Sequence, residues 1–210
     1  MPEIIGPLVE FSLGLISSAG YPGIAAVMAL ENIFPPIPSE AVMPFAGFLV
    51  AQGQFSLLPT IGAGVLGTVL GAVALYAIGA VLSGDRFRQL IGRYGKYILV
   101  SEKDLARAEE FFARRGEWAV LIARVIPIIR SIISVPAGFV KMGMGRFLVL
   151  TTLGTAAWTT LLTYAGIVLG DNWAQVEPAI KQYEHLVLGA LLILGVLYLY
   201  HKLRPRPLVG

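Results

Sequence analysis

Residues 59–82, PTIGAGVLGTVLGAVALYAIGAVL, hold no charged side chain. Wound as a helix, such a run is about 36 Å long, enough to cross the hydrocarbon of a bilayer. Residues 147–170 have the same character, and residues 185–201, with the run LVLGALLILGVLYLY, make a third candidate span. Composition agrees. Hydrophobic residues are 56% of the chain, charged residues 14%, and the mean hydropathy is +0.75, whereas soluble domains carry about 25% charged residues. The chain reads as an all-α integral membrane protein, a single membrane domain over 1–210.

The distribution of charge excludes several function classes. The first Lys or Arg is Arg86, so residues 1–85 carry no basic side chain. That excludes a nucleic-acid binder built on a basic surface, despite a pI near 9.3. It also argues against a cleaved secretory signal, which needs a positive region before its apolar stretch. There is no cysteine, hence no disulfide, thiolate metal site or Cys nucleophile. Only His185 and His201 are available for histidine chemistry, and an interfacial place suits both better.

Two further apolar stretches are interrupted. Residues 21–52 carry Glu31, Pro35, Pro36, Pro38, Glu40 and Pro44, and residues 117–140 carry Arg124, Pro127, Arg130 and Pro136. Proline removes a backbone donor and clashes with the preceding turn. Each arm is then about 16 Å long, half a membrane. The expectation is two re-entrant helical hairpins, with Pro35, Pro36, Pro38, Pro127, Pro136, Gly47 and Gly138 as their breaks. Irregular backbone at that depth is tolerated only against protein or a wet cavity. Upstream, Gly14, Gly20, Pro22 and Gly23 divide an N-terminal helix, 1–20, from a second helix starting near Tyr21.

Orientation follows from the basic residues. Arg86, Arg88, Arg93, Lys96, Lys103, Arg107, Arg114 and Arg115 crowd 83–116, and Lys202, Arg204 and Arg206 end the chain. The positive-inside rule puts both segments in the cytoplasm. The order is then 1–20, a first hairpin and span over 21–82, a cytoplasmic amphipathic segment over 83–116, a second hairpin and span over 117–170, and a C-terminal span over 184–203. The two halves resemble each other: Pro44-Phe45-Ala46-Gly47 answers Pro136-Ala137-Gly138, Gly67-Thr68 answers Gly154-Thr155, Tyr76-Ala77 answers Tyr164-Ala165, and Gly84-Asp85 answers Gly170-Asp171. Because the two spans cross in opposite senses, the repeat is inverted. Inverted repeats with broken helices are a recurrent transporter plan in which the breaks mark the binding site.

Glu31, Glu40, Arg124 and Arg130 lie inside the hairpins. Each charge near a bilayer centre costs roughly 2.5–3.5 kcal/mol, so all four unpaired would cost on the order of 10 kcal/mol. They must face each other, a ligand or water. One alternative is two structural ion pairs pinning hairpin to hairpin. The other is an anion site in which Arg124 and Arg130 offer planar guanidinium forks to phosphate oxygens. Ser131 and Ser134 could add hydroxyls. Glu31 and Glu40 would trade a proton for an arginine contact or a substrate, since a buried carboxyl favours its neutral form. Gly62, Gly64, Gly67 and Gly71 suit close helix packing. Trp158 suits interfacial anchoring or ordinary packing.

The residues also carry a resemblance. Glu31-Asn32, Pro35-Pro36-Ile37-Pro38-Ser39-Glu40 and Gly47, then Phe112-Ala113-Arg114-Arg115-Gly116-Glu117, Ala123-Arg124-Val125-Ile126-Pro127-Ile128-Ile129-Arg130 and Pro136-Ala137-Gly138, resemble the signatures of the DedA family, the SNARE-associated or VTT-domain membrane proteins. The similarity extends through Met142, Phe147, Gly154, Trp158 and Gly170. It implies a bacterial inner-membrane lipid transporter with two facing hairpins, acting on undecaprenyl phosphate or a phospholipid. The family's functional acids and arginines fall on Glu31, Glu40, Arg124 and Arg130. Ser39-Glu40 stands where many members have Gly-Asp, so the acid is kept on a longer arm.

The expectation is therefore a flippase-like lipid transporter, not an enzyme, with no cofactor and no metal. Its partners would be a polyprenyl phosphate or phospholipid and a coupling proton or sodium ion. No nucleic acid is involved, and a homo-oligomer is compatible. A scramblase or phosphatidylethanolamine translocase, an intramembrane lipid phosphatase and a structural membrane protein are the competing functions.

Overall fold

A computed structural model of the chain describes residues 5–33, 39–81, 83, 110, 118–126 and 129–170, all within the compact unit Met1–Gly170. Pro35, Pro36, Pro38 and Pro127, the amphipathic segment expected in 83–116 (Ser83 and Glu110 apart) and the span expected in 184–203 lie outside the described residues. Helices are the only regular structure among those described. They are α1 (Ile5–Ala19), α2 (Tyr21–Ile33), α3 (Ser39–Ala51), α4 (Leu57–Val81), α5 (Trp118–Ala123), α6 (Ile129–Ile132), α7 (Ser134–Phe139) and α8 (Met144–Leu169).

Two of these, α4 and α8, are long and apolar enough to cross a membrane, with 25 and 26 residues. At 1.5 Å per residue each is about 38 Å long. Their faces invert the soluble pattern. On α4 the buried face is Thr60, Gly64, Gly67, Thr68, Gly71, Ala72, Tyr76 and Gly79, while Leu58, Leu66, Leu70, Ile78 and Val81 are exposed. On α8, Thr151, Gly154, Thr155, Thr159, Thr163 and Gly166 are buried, and Val149, Leu153, Leu161 and Val168 point outward. Small and hydroxyl residues inside with large aliphatics outside is the arrangement that suits helices packed in lipid.

The break between α1 and α2 falls on Gly20, whose φ of +66° is in the left-handed region that glycine enters without strain. Its N–H still bonds the Ile16 carbonyl at 2.9 Å, closing α1. Ile16, Ile24, Val27, Met28, Val42, Met43, Ala46 and Leu49 then form one apolar cluster joining α1, α2 and α3. A second cluster, Ala72, Tyr76, Val120, Ala123, Ile133, Ala137, Met142 and Phe147, gathers α4, α5, α7 and α8.

Helix α2 packs along α4, α3 along α8, and α7 along α4. Backbone meets backbone reciprocally in two of these contacts; in α2 on α4 the glycines of α4 alone press on carbonyls, Gly67 on that of Ala25 and Gly71 on that of Ala29. A Cβ added at Gly47 would strike the Thr163 carbonyl, and one at Gly166 the Pro44 carbonyl. In the same way a Cβ at Gly138 would strike the Tyr76 carbonyl, and one at Gly79 the Val135 carbonyl. In each helix of the two reciprocal contacts the glycine and the contacted carbonyl stand one turn apart.

These positions correct an expectation. Gly47 lies within α3 and Gly138 and Pro136 within α7, so none of the three breaks a helix. The glycines are small because another helix presses on them. Pro136 is the third residue of α7, in the first turn, where its missing N–H has no intrahelical partner to lose. Among the described residues, the interruption in this half falls instead at residues 124–126, after α5, and at Ile133, between α6 and α7.

Candidate functional site

Three charged side chains are buried together. Glu31 is 4% exposed, Arg124 1% and Arg130 5%. Each comes from a helix end. Glu31 closes the last turn of α2, Arg124 follows the last residue of α5, and Arg130 stands in the single turn of α6. Interrupted helices put them there, because long side chains at a helix end can turn inward without displacing a packed helix face.

Arg130 donates to Glu31 Oε1 in a buried salt bridge between residues 99 positions apart. Its guanidinium also lies over the Trp158 ring, 5.9 Å from the centroid, within the range of a cation–π contact. Arg124 is held differently. Its Nη1 donates to the Arg130 carbonyl at 2.9 Å, and its Nη2 to Ser134 Oγ at 2.8 Å and Thr151 Oγ1 at 3.3 Å. Phe147 lies beneath it at 5.7 Å. Arg124 thus ties the interrupted segment between α5 and α6 to α7 and α8. Gly154 makes room for it, since a Cβ there would come within 2.6 Å of Arg124 Cβ.

Neighbouring groups complete the surroundings. Asn32 is buried and donates to the Thr68 carbonyl at 2.8 Å, fixing the end of α2 on α4. Tyr76 donates to the Met142 carbonyl and stacks on Phe147 at 4.7 Å, which holds the turn between α7 and α8. Ser131 is buried beside Arg130 in α6. Glu40, partly exposed in the first turn of α3, stands near enough to Glu31 for the two carboxylates to repel, and at that helix start a carboxylate complements the helix dipole.

Of the residues singled out from the sequence, the fold brings Glu31, Arg124 and Arg130 to one place, with Ser131 beside them. Among the described residues, two buried guanidinium groups stand beside one buried carboxylate in a dry setting. Such a setting strengthens attraction for an anion. No group of His, Cys, Asp and Glu that could hold a metal ion occurs among the described residues.

A family model described as the VTT domain matches residues 37–168. The chain belongs to the VTT-domain (DedA) family. Among its relatives, a Lactococcus lactis subsp. cremoris protein named "Alkaline phosphatase-like protein" is 41% identical over 197 residues, covering 92% of each chain. "Undecaprenyl phosphate transporter A" of Bacillus subtilis is 33% identical over 202 residues, 96% of this chain and 97% of the relative. The Staphylococcus aureus protein of the same name is 33% identical over 183 residues, 87% and 90%. No solved structure matches.

Sequence reasoning missed two features of this VTT-domain site. Trp158 is the ring under Arg130 as well as a packing residue. Thr151, Thr155, Thr159 and Thr163, all buried, form a hydroxyl stripe at four-residue spacing along α8. The stripe was visible as a helical period in an otherwise apolar run. The tryptophan had no such signal.

Proposed function

We propose that this membrane protein carries a lipid with a phosphate headgroup, of the polyprenyl phosphate type, between the leaflets of a bacterial inner membrane, with proton movement coupled to it. The observation that carries this reading is the buried Glu31–Arg130 pair. Isolated charges in lipid are costly and mark substrate or ion pathways. Two relatives that match along nearly their whole length are named undecaprenyl phosphate transporter.

The chemistry is an exchange of anions on one guanidinium. Arg130 can pair with a carboxylate or, in the same planar geometry, with phosphate oxygens. A phosphate that takes the place of Glu31 leaves a buried carboxylate alone unless Glu31 takes up a proton. Protonation therefore favours headgroup binding, and loss of the proton favours release. Glu40, nearer solvent, is the second proton carrier. Arg124 presents Arg130 by fixing the segment between the helices, and Ser131 adds a hydroxyl beside the headgroup.

The broken pairs α2–α3 and α5–α7 serve as re-entrant hairpins of an inverted repeat. Support comes from the two glycine contacts, Gly47 with Gly166 and Gly79 with Gly138, which have the same one-turn spacing. The basic residues of 83–116 and the C-terminus face the cytoplasm in this arrangement, as the positive-inside rule requires.

The test is transport in proteoliposomes containing the full chain, comparing a polyprenyl phosphate with a neutral polyprenol. The wild type moves the phosphate faster, and Arg130→Ala abolishes the difference. Equal rates for the two lipids, unaffected by Arg130→Ala, would sink the phosphate-specific reading and leave a headgroup-blind scramblase. Inorganic phosphate released in the same vesicles would make the chain a hydrolase instead.

A further inference from the structure

Several buried polar atoms at this site have no hydrogen-bond partner: Glu31 Oε2, Thr68 Oγ1, Arg124 Nε, Thr155 Oγ1 and Trp158 Nε1. A buried polar group without a partner is costly, so a cluster of them points to an occupant that satisfies them. Their chemistry is lopsided. The guanidinium Nε–H and the indole N–H can only donate, and each threonine hydroxyl has a proton to give. Only Glu31 Oε2, when ionised, accepts without donating.

Their placement is equally specific. Helix α8 meets Arg124 through Thr151 Oγ1 at 3.3 Å and Arg130 through the Trp158 ring at 5.9 Å. Thr155 lies one turn beyond Thr151 and one turn before Trp158, on the face where side chains three and four apart are neighbours. Its hydroxyl, on a residue 3% exposed, therefore stands between the contact points of the two arginines. Thr68 approaches from α4 at the level of Asn32, the neighbour of Glu31.

We infer that Thr155 and Trp158 are headgroup ligands that select phosphate monoester lipids over phosphodiester lipids. The inference rests on reading the chain as a carrier of phosphate-headed lipids. It adds the residues that set specificity within that class. A monoester presents three non-bridging oxygens, enough to accept from the indole N–H, the Thr155 hydroxyl and a guanidinium together. It also accepts from the Glu31 carboxyl once that group has taken up its proton, because a phosphate's oxygens are strong acceptors. A phosphodiester offers two such oxygens, leaving a donor of the site unmatched. Sites that hydrogen-bond a substrate group discriminate strongly against analogues lacking it, because their own buried groups are then left unpaired.

The full chain in proteoliposomes tests this with a short polyprenyl phosphate, its methyl phosphodiester and inorganic phosphate as probes. The wild type prefers the monoester. Thr155→Val keeps the shape and removes the hydroxyl, and Trp158→Phe keeps a ring and removes the N–H. Each lowers the monoester-to-diester rate ratio about tenfold, while Thr155→Ser restores it. An unchanged ratio in both Thr155→Val and Trp158→Phe, with Arg130→Ala still abolishing monoester transport, would overturn the ligand assignment and leave the transporter reading standing. A wild type indifferent to the presence of any phosphate would overturn both. Uptake of inorganic phosphate in preference to the lipid would overturn it by making the free anion the occupant.

Discussion

Arg124 and Arg130 stand six positions apart on one interrupted segment, and their surroundings differ in kind. Arg124 is bound by neutral acceptors: a carbonyl from its own segment, Ser134 of α7 and Thr151 of α8. Arg130 reaches across the molecule to a carboxylate on α2. Neutral acceptors fixed by the fold cannot be exchanged without undoing the fold. A carboxylate can be displaced, by another anion or by a proton. The same residue type is therefore held once by neutral acceptors and once by a charged partner, which under the proposed function is the contact that exchanges.

The largest effect should come from the exchangeable one. Arg130→Ala lowers polyprenyl phosphate transport about 100-fold. It also destabilises the protein by about 3–5 kcal/mol, because Glu31 is left buried and charged alone. Adding Glu31→Gln returns most of that stability in detergent unfolding but none of the transport. Recovery of transport in the double variant would break the contrast between the fixed arginine and the exchangeable one. The fixed side is sharpened by Arg124→Lys. A lysine keeps the charge but cannot hold the carbonyl and both hydroxyls in the fork geometry, so stability falls by about 2 kcal/mol. Monoester and diester transport then fall together, with their ratio unchanged.

The glycine contacts compare the two halves directly. Gly47→Ala and Gly138→Ala each press a methyl on a carbonyl of the facing helix, and each should cost about 1–3 kcal/mol in unfolding measurements. Similar losses in the two support equivalent packing of the halves, whereas a loss confined to one would argue against it. The smallest effect belongs to Gly62→Ala. Nothing lies within 4 Å of a Cβ there, and replacing a helix-interior glycine should raise stability by up to about 1 kcal/mol.

The long elements were legible because length and absence of charge are local properties. The run 59–82 appears as Leu57–Val81, and 147–170 as Met144–Leu169. The earlier starts have physical reasons: Pro59 falls in the first turn of α4, where proline is tolerated, and Arg146 is exposed, so its head can leave the apolar region. The gathering of Glu31, Arg124 and Arg130 was legible from the cost of burying charge. The role of Gly47, Gly138 and Pro136 was not. A glycine needed for a turn and a glycine needed for a close neighbour look alike until the neighbour is placed. Trp158 was obscured similarly, because its ring is given its role by Arg130 from a different helix.

The outward aliphatics and inward hydroxyls of α4 and α8 bear on how the molecule comes apart. The helical backbone hydrogen bonds of each span close within the span itself, and its lipid-facing side loses nothing when its neighbours depart. Harsh detergent can then separate the helices while each keeps its coil, so far-ultraviolet circular dichroism barely changes as packing is lost. Fluorescence is the better witness: Trp158 leaves the neighbourhood of Arg130 as soon as α8 parts from α6, and its emission should register a separation to which helix content is blind.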